Sequence, residues 1–193
     1  RFVDVCKNCD GIYYDEESGY LARMSTYMLE VRISEFIKEL SKNNTKLDLD
    51  WSKYTEIKDG TLTEEQMDIP KSICEHRFVI VDALAGGGKS ASMMSVLKML
   101  DDAHIQYCCM TATGKASKRF TEASGRPCST IHRRTGNDKT IDAEVIVLDE
   151  DSLLSIELLG MVIRACTNPN VRFLCLGDLQ QLINLNLGTP IKD

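Results

Sequence analysis

Eight residues, Ala83-Leu84-Ala85-Gly86-Gly87-Gly88-Lys89-Ser90, constrain this chain more than any others. They follow Phe78-Val79-Ile80-Val81, a short apolar run of strand type, and precede Ala91 to Leu100, which has helical patterning. A strand, a glycine-rich loop, Lys-Ser and a helix together wrap successive backbone N–H groups around phosphate oxygens at a helix N-terminus. In that arrangement the backbone of Ala85, Gly86, Gly87 and Gly88 cradles the phosphates of a nucleotide. Lys89 reaches the β- and γ-phosphates, and the Ser90 hydroxyl sits on Mg²⁺. Ala83 occupies the position where the usual pattern has its first glycine, and alanine fits there with φ negative. A glycine-rich turn that binds nothing would not explain the Lys-Ser and the helix pattern after it.

From residue 78 onward the pattern is α/β. Short apolar runs at 78–82, 106–110, 144–148 and 171–176 predict strands. Helical patterns at 89–100, 114–124 and 152–167 separate them, with a turn at 129–134. Strands that are apolar on both faces and alternate with helices predict a parallel sheet covered on both sides. Upstream, residues 1–16 read as irregular or short strands, with a turn at Asp10-Gly11. Residues 20–41 read as an amphipathic helix, with Leu21, Met24, Met28, Val31, Phe36 and Leu40 on its apolar side. Thr63 and Gln66 have the spacing of a capping box, and Pro70 should limit or kink the helix they begin.

In a parallel sheet the strand ends face the crevice where ligands bind. Asp149 and Glu150 end the run Glu144-Val145-Ile146-Val147-Leu148. Asp149 is placed to hold Mg²⁺, and Glu150 to orient and deprotonate an attacking water. Gln181, after the run Val171 to Leu176, can bond both the γ-phosphate and that water; Gln180 is the lesser candidate. Each of these pairs is weak alone and gains its meaning from the glycine-rich loop upstream.

A chain of 193 residues supports one core plus a small appendage. No apolar run approaches a membrane span. Arg1 rather than Met opens the chain, and the N-terminus does not have the pattern of a signal peptide, so it reads as an interior start. The eight cysteines do not form a disulfide framework; Cys108, Cys109, Cys166 and Cys175 sit in apolar runs as small hydrophobes, as in a reduced, cytoplasmic protein. Cys6 and Cys9 have half the spacing of a zinc knuckle, and the next candidates, Cys74, His76, Cys128 and His132, are distant. The net charge is −6, yet residues 115–134 carry six basic side chains and one acidic. Within that run Lys115 reads as functional. Lys118 and Arg119 read equally well as the solvated face of a helix.

The order of motifs resembles superfamily 1 helicases of the RecD/TraA branch, from Leu62 to about Asp193. Leu62-Thr63-Glu64-Glu65-Gln66 is similar to the family's Q motif, Ala83–Ser90 to motif I, and Thr111-Ala112-Thr113-Gly114-Lys115-Ala116 to motif Ia. Ser129-Thr130-Ile131-His132-Arg133 is similar to the stretch after motif Ia. Leu148-Asp149-Glu150-Asp151-Ser152-Leu153-Leu154 is similar to motif II, and Gly177-Asp178-Leu179-Gln180-Gln181-Leu182 to motif III. Three departures stand out: Ala83, Ile183-Asn184 in place of the usual proline-containing pair, and a short interval between His132 and Glu144.

The resemblance implies a P-loop NTPase of RecA-like fold at residues 61–193, preceded by a small helical accessory region at 1–60. It implies ATP and Mg²⁺ as cofactors, with Gln66 on the adenine. It implies single-stranded DNA on Thr111, Thr113, Lys115, Thr130 and His132, with 5′→3′ movement. A second RecA-like domain of the same protein, supplying arginines, is implied as the partner, within a repair or conjugation complex. The first motor domain alone would then turn ATP over poorly. Two other classes fit part of the pattern: a P-loop phosphotransferase or regulatory ATPase without nucleic acid, and a non-catalytic DNA-binding module.

Overall fold

The computed structural model describes residues 10–57, 60–82, 88–137, 139–149 and 154–177. The expected contributions of Cys6, Cys9, Ala85, Gly86, Gly87, Glu150 and Gln181 lie outside these residues.

Five strands form one parallel sheet: β5 (Phe78–Asp82), β6 (Tyr107–Thr111), β7 (Cys128–Thr130), β8 (Val145–Asp149) and β9 (Arg172–Gly177), in the spatial order β5-β9-β8-β6-β7. The central strands are apolar on both faces because both faces are covered: β9 is buried throughout and β8 from Val145 to Leu148. Alternation splits each strand between two cores. Val145, Val147, Leu174 and Leu176 pack with helices α2 (Glu64–Glu75), α3 (Lys89–Asp102) and α4 (Gly114–Ser124). Ile146, Leu148, Phe173 and Cys175 pack with helices α1 (Met24–Lys42) and α6 (Ile156–Ala165). The fold is an α/β P-loop NTPase with a RecA-like parallel sheet and helices on both faces.

Local chemistry sets the helix ends. Thr63 and Gln66 form the expected capping box, and Glu64 and Glu65 favour the positive end of α2. Helix α4 starts at Thr113, whose hydroxyl accepts from the Ala116 amide, and stops at Gly125 with φ 67°. A short helix α5 (Ile131–Thr135) is capped by Thr130, and α6 by Ser155.

Several expectations are corrected. Residues 21–23 are not helical: they form strand β2 (Leu21–Arg23), antiparallel to β1 (Ile12–Tyr14), and α1 starts at Met24. Tyr13 stacks on Tyr27 at a ring distance of 3.5 Å, which packs the hairpin against α1. Pro70 sits buried within α2, and the helix runs on to Glu75. Residues 128–130, where a turn is expected from 129, form edge strand β7. A small hairpin, β3 (Glu56–Ile57) with β4 (Gly60–Thr61), precedes α2. Helix α1 joins the main core through Ile33 and Leu40, and Phe36 meets Phe173 edge-on at 5.7 Å.

At the N-terminal end of the sheet, Arg77 and Arg172 are both buried, and their guanidiniums bond backbone carbonyls, with one further bond from Arg172 to the Thr45 hydroxyl. Arg77 donates to the carbonyls of Asn43, Pro169 and Val171. Arg172 donates to those of Thr45, Ile73 and His76. Arg172 thereby serves the negative C-terminal end of α2. The cysteines behave as small hydrophobes: burial pushes the thiols of Cys74 and Cys128 up to about 11.

Candidate nucleotide and nucleic-acid site

The register of the sheet lines up its C-terminal ends in one row. Asp82 pairs with Gly177, Leu176 with Asp149, Asp149 with Thr111, and Thr111 with Thr130. Residues far apart in the chain thus meet on neighbouring strands, at the edge where parallel sheets hold ligands.

At one side of the row, Lys89 opens α3 and crosses to β9, donating its Nζ to the Gly177 carbonyl at 2.6 Å. Its charge also acts on Asp149, on the next strand of the sheet. Burial pushes the Asp149 carboxyl up, and the charges of Arg119 and Lys89 pull against that shift. Ser90 is exposed in the first turn of α3. Gly88 adopts the left-handed conformation at φ 79°, where a side chain would be strained, and a Cβ there would overlap the Gln66 amide. The last loop glycine and the candidate adenine-reading glutamine are therefore packed together. Gln66 is held by its capping box: its Oε1 accepts from the Thr63 amide at 3.0 Å.

Beside them a cleft of about 290 Å³ runs between α2 and β5, lined by Gln66, Ile69, Val81, Asp82, Lys89 and Ser92. The buried Ser92 hydroxyl has no hydrogen-bond partner among the described residues. A glycine that admits close approach, a lysine at a helix N-terminus and an orphaned hydroxyl in the adjoining cleft all fit a bound nucleotide. Among the described residues, no group of three or more His, Cys, Asp or Glu side chains could hold a metal.

On the other side of the row, the candidate DNA residues divide. Thr113 and Thr130 are helix caps, accepting from Ala116 and Arg133 respectively. Thr111 is buried, and its hydroxyl donates to the Thr113 carbonyl at 3.0 Å. Lys115 and His132 are exposed. The basic run is not one surface. Lys118 pairs with Glu122 at 3.8 Å, and Arg126 turns back to Asp101 at 2.6 Å. Arg119, equally readable as a solvated side chain, lends its charge to Asp149. Its four-residue spacing from Lys115 is the available sequence signal, because it places both on one side of α4.

A family model described as an AAA domain matches residues 61–193. The chain belongs to the AAA domain family. Over 151 residues it is 28% identical to the ATP-dependent RecD2 DNA helicase of Deinococcus radiodurans, covering 74% of this chain and 21% of that protein. It is 24% identical to the RecD subunit of the RecBCD enzyme of Haemophilus influenzae, covering 85% of this chain and 32% of that protein. The chain therefore spans between a fifth and a third of the length of these relatives. The fold is similar to that of the UvsW helicase from bacteriophage T4, with a TM-score of 0.59 at 12% identity over 85% of this chain and 77% of that one. It also resembles Pif1 helicases acting at forked duplex DNA, with a TM-score of 0.51 at 21% identity over 68% of this chain and 37% of that one. In sequence the chain is similar to helicases of RecD type, and the AAA domain implies nucleotide binding. No described helix is long and apolar enough to cross a membrane.

Proposed function

We propose that this chain is the first motor domain of an ATP-dependent DNA helicase that moves 5′→3′ along single-stranded DNA. The observation that carries the reading is the row of strand ends, which sets Lys89 and Asp149 on one side and the first turn of α4, with Thr113 and Lys115, on the other. The relation to RecD2, itself an ATP-dependent DNA helicase, supports it.

Mg²⁺-ATP supplies the bond whose cleavage drives the cycle. The chain's own residues divide the work. The amides of Ala85 to Gly88 and of the first turn of α3 would bind phosphate oxygens, and Gln66 would hold the adenine. Lys89, which here donates to the Gly177 carbonyl, would reach the phosphate, Ser90 and Asp149 would hold the metal, and Glu150 would take the proton of the attacking water. Gln181 would report the state of the γ-phosphate. Lys115, Thr113, Thr130 and His132 bind DNA phosphates, with Thr111 bracing their turn; such contacts carry little sequence preference. A second RecA-like domain supplies the arginines that stabilise the transition state.

The experiment uses the full-length protein. ATP hydrolysis should rise with single-stranded DNA, and a duplex with a 5′ tail should be unwound in preference to one with a 3′ tail. Hydrolysis indifferent to DNA would instead favour a phosphotransferase or regulatory ATPase. DNA binding without any hydrolysis would favour a non-catalytic module.

A further inference from the structure

Helix α1 has two apolar sides. One faces the core: Ile33 and Leu40 are buried, and Leu29, Phe36 and Ile37 pack against the same cluster. With a helical turn every 3.6 residues, Met24 and Met28 fall on the opposite side, four residues apart, and they are 39% and 43% exposed. Val31 continues their line, half-buried. A helix that had only to cover the sheet would be polar there.

The hairpin of β1 and β2 widens this side into a face. Tyr27 is three residues from Met24, so it borders the methionines. Tyr13 stacks on Tyr27, and the ring of Tyr20 stands 6.3 Å from that of Tyr13. Tyr20 is 41% exposed, and its hydroxyl donates to Glu30 of α1 at 2.8 Å. The rings are thus fixed from both elements. Tyrosine and methionine are residues that interfaces gather at their centres, and methionine repacks readily round a partner. Acids border the face. Glu30 holds Tyr20, and Asp15, whose amide donates to the Tyr20 carbonyl, opens a turn with Glu16 and Glu17. Residues 10–30 carry five acids against Arg23 alone.

We infer that this face docks a separate protein through an amphipathic helix whose apolar side is edged by Lys and Arg. The ridge of Met24 and Met28 is of the kind a second helix packs along, and basic edges match the acids. The same acids repel phosphate, which excludes nucleic acid and anionic lipid as occupants. A second copy docked through this face would set acid against acid. Among the described residues, the other exposed large apolar side chains are Leu21, on the opposite face of the hairpin from Tyr13, and Ile80 of β5, so a second copy has no matching apolar face to present from elsewhere. An apolar centre with a charged rim is the anatomy of a partner that comes and goes, whereas permanent contacts are more apolar.

The test uses the full-length protein and a fluorescein-labelled helical peptide of Leu and Lys, about 18 residues long, with Lys along both edges of the Leu face. A peptide with Glu in place of Lys is the control. By anisotropy, the Leu/Lys peptide should bind at least about tenfold more tightly than the control, and less tightly as salt rises. Met24→Gln with Met28→Gln, which keeps helix propensity, should weaken that binding about tenfold with an unchanged Tm. Glu16→Lys with Glu17→Lys should slow association and flatten the salt dependence. Both variants should hydrolyse ATP as the wild type does. A photoreactive amino acid in place of Met28 should form no link in the protein alone and should link the Leu/Lys peptide when it is added. The inference is overturned if neither peptide binds, if both bind alike, or if the variants bind as the wild type does. It is equally overturned if residue 28 links to another segment of the same protein or to a second copy.

Discussion

At Gly88 a single hydrogen in place of a side chain serves two purposes. Its φ of 79° lies where a Cβ is strained, and the space a Cβ would fill is held by the Gln66 amide. Gly88→Ala should therefore cost about 1–2 kcal/mol of backbone strain and displace Gln66 from its capping box. We expect a lower Tm and a weaker calorimetric affinity for a non-hydrolysable ATP analogue; an unchanged affinity would separate Gln66 from the nucleotide. Lys89 sits where the sheet row, the helix N-terminus and Asp149 meet, so Lys89→Ala should abolish hydrolysis and weaken Mg²⁺-ATP binding while the fold persists. The two acids should separate cleanly. Glu150→Gln should retain ATP binding and lose about 10²–10⁴-fold in turnover, because an amide cannot take the water's proton. Asp149→Asn should instead alter the dependence on Mg²⁺. Single-turnover hydrolysis across a Mg²⁺ series distinguishes them, and wild-type turnover in Glu150→Gln would remove it from the role of base.

The elements show why part of the fold is legible in the sequence and part is not. Strands β8 and β9 announce themselves because both faces are buried, so five or six apolar residues run together. Lys89 and Asp149 are readable because the order of strand ends fixes them to one edge of any parallel sheet. Strand β7 is not: Cys128-Ser129-Thr130 has no apolar alternation and is a strand because β6 pairs with it. Residues 21–23 mimic helix because Leu21 and Met24 share helical spacing with Met28 and Val31 in α1. The direction of each cation on and after α4 depends on helix rotation and on distant acids, neither of which spacing records. Arg126 illustrates this. It binds Asp101, at the end of α3, through Nε and a terminal nitrogen at 2.8 and 2.6 Å, while the Tyr107 hydroxyl donates to the other carboxylate oxygen at 2.6 Å. Burial pushes the Asp101 carboxyl up, but the bonds from Tyr107 and Arg126 outweigh it and hold the carboxyl below its usual value. A lowered carboxyl contributes stability above its unfolded pKa and loses it as the pH falls through the folded value. Asp101→Asn should thus destabilise at neutral pH by about 1 kcal/mol or less, the side chain being partly solvated. The gap to wild type should close below about pH 4 in thermal melts taken across pH. A gap constant down to about pH 2 would mean that the carboxylate's charge plays no part.

Across the whole molecule, the two ends of the sheet are built for opposite purposes. The C-terminal ends gather ionisable groups and a partly open cleft. The N-terminal ends are closed by Arg77 and Arg172, neighbouring like charges whose donors are turned on carbonyls. Burial lowers both guanidiniums from their ordinary value, and the charge of Arg77 lowers Arg172 further. Such a pair persists because carbonyls at the end of α2 and in the segments around 43–45 and 169–171 would otherwise be buried without partners. The arginines tie residues 43–45, helix α2 and the segment 169–171 to the N-terminal ends of β5 and β9. Arg172→Met removes the charge and roughly keeps the volume, but leaves the carbonyls of Ile73 and His76, and that of Thr45, without their donor. The loss should be about 2–4 kcal/mol. At about 2–4 °C per kcal/mol for a chain of this size, the Tm should fall by roughly 5–15 °C. Limited proteolysis should then cut first near residues 43–45. A melt within about 1 °C of wild type would show that these carbonyls are satisfied by other means, and that residues 43–45 are held without Arg172.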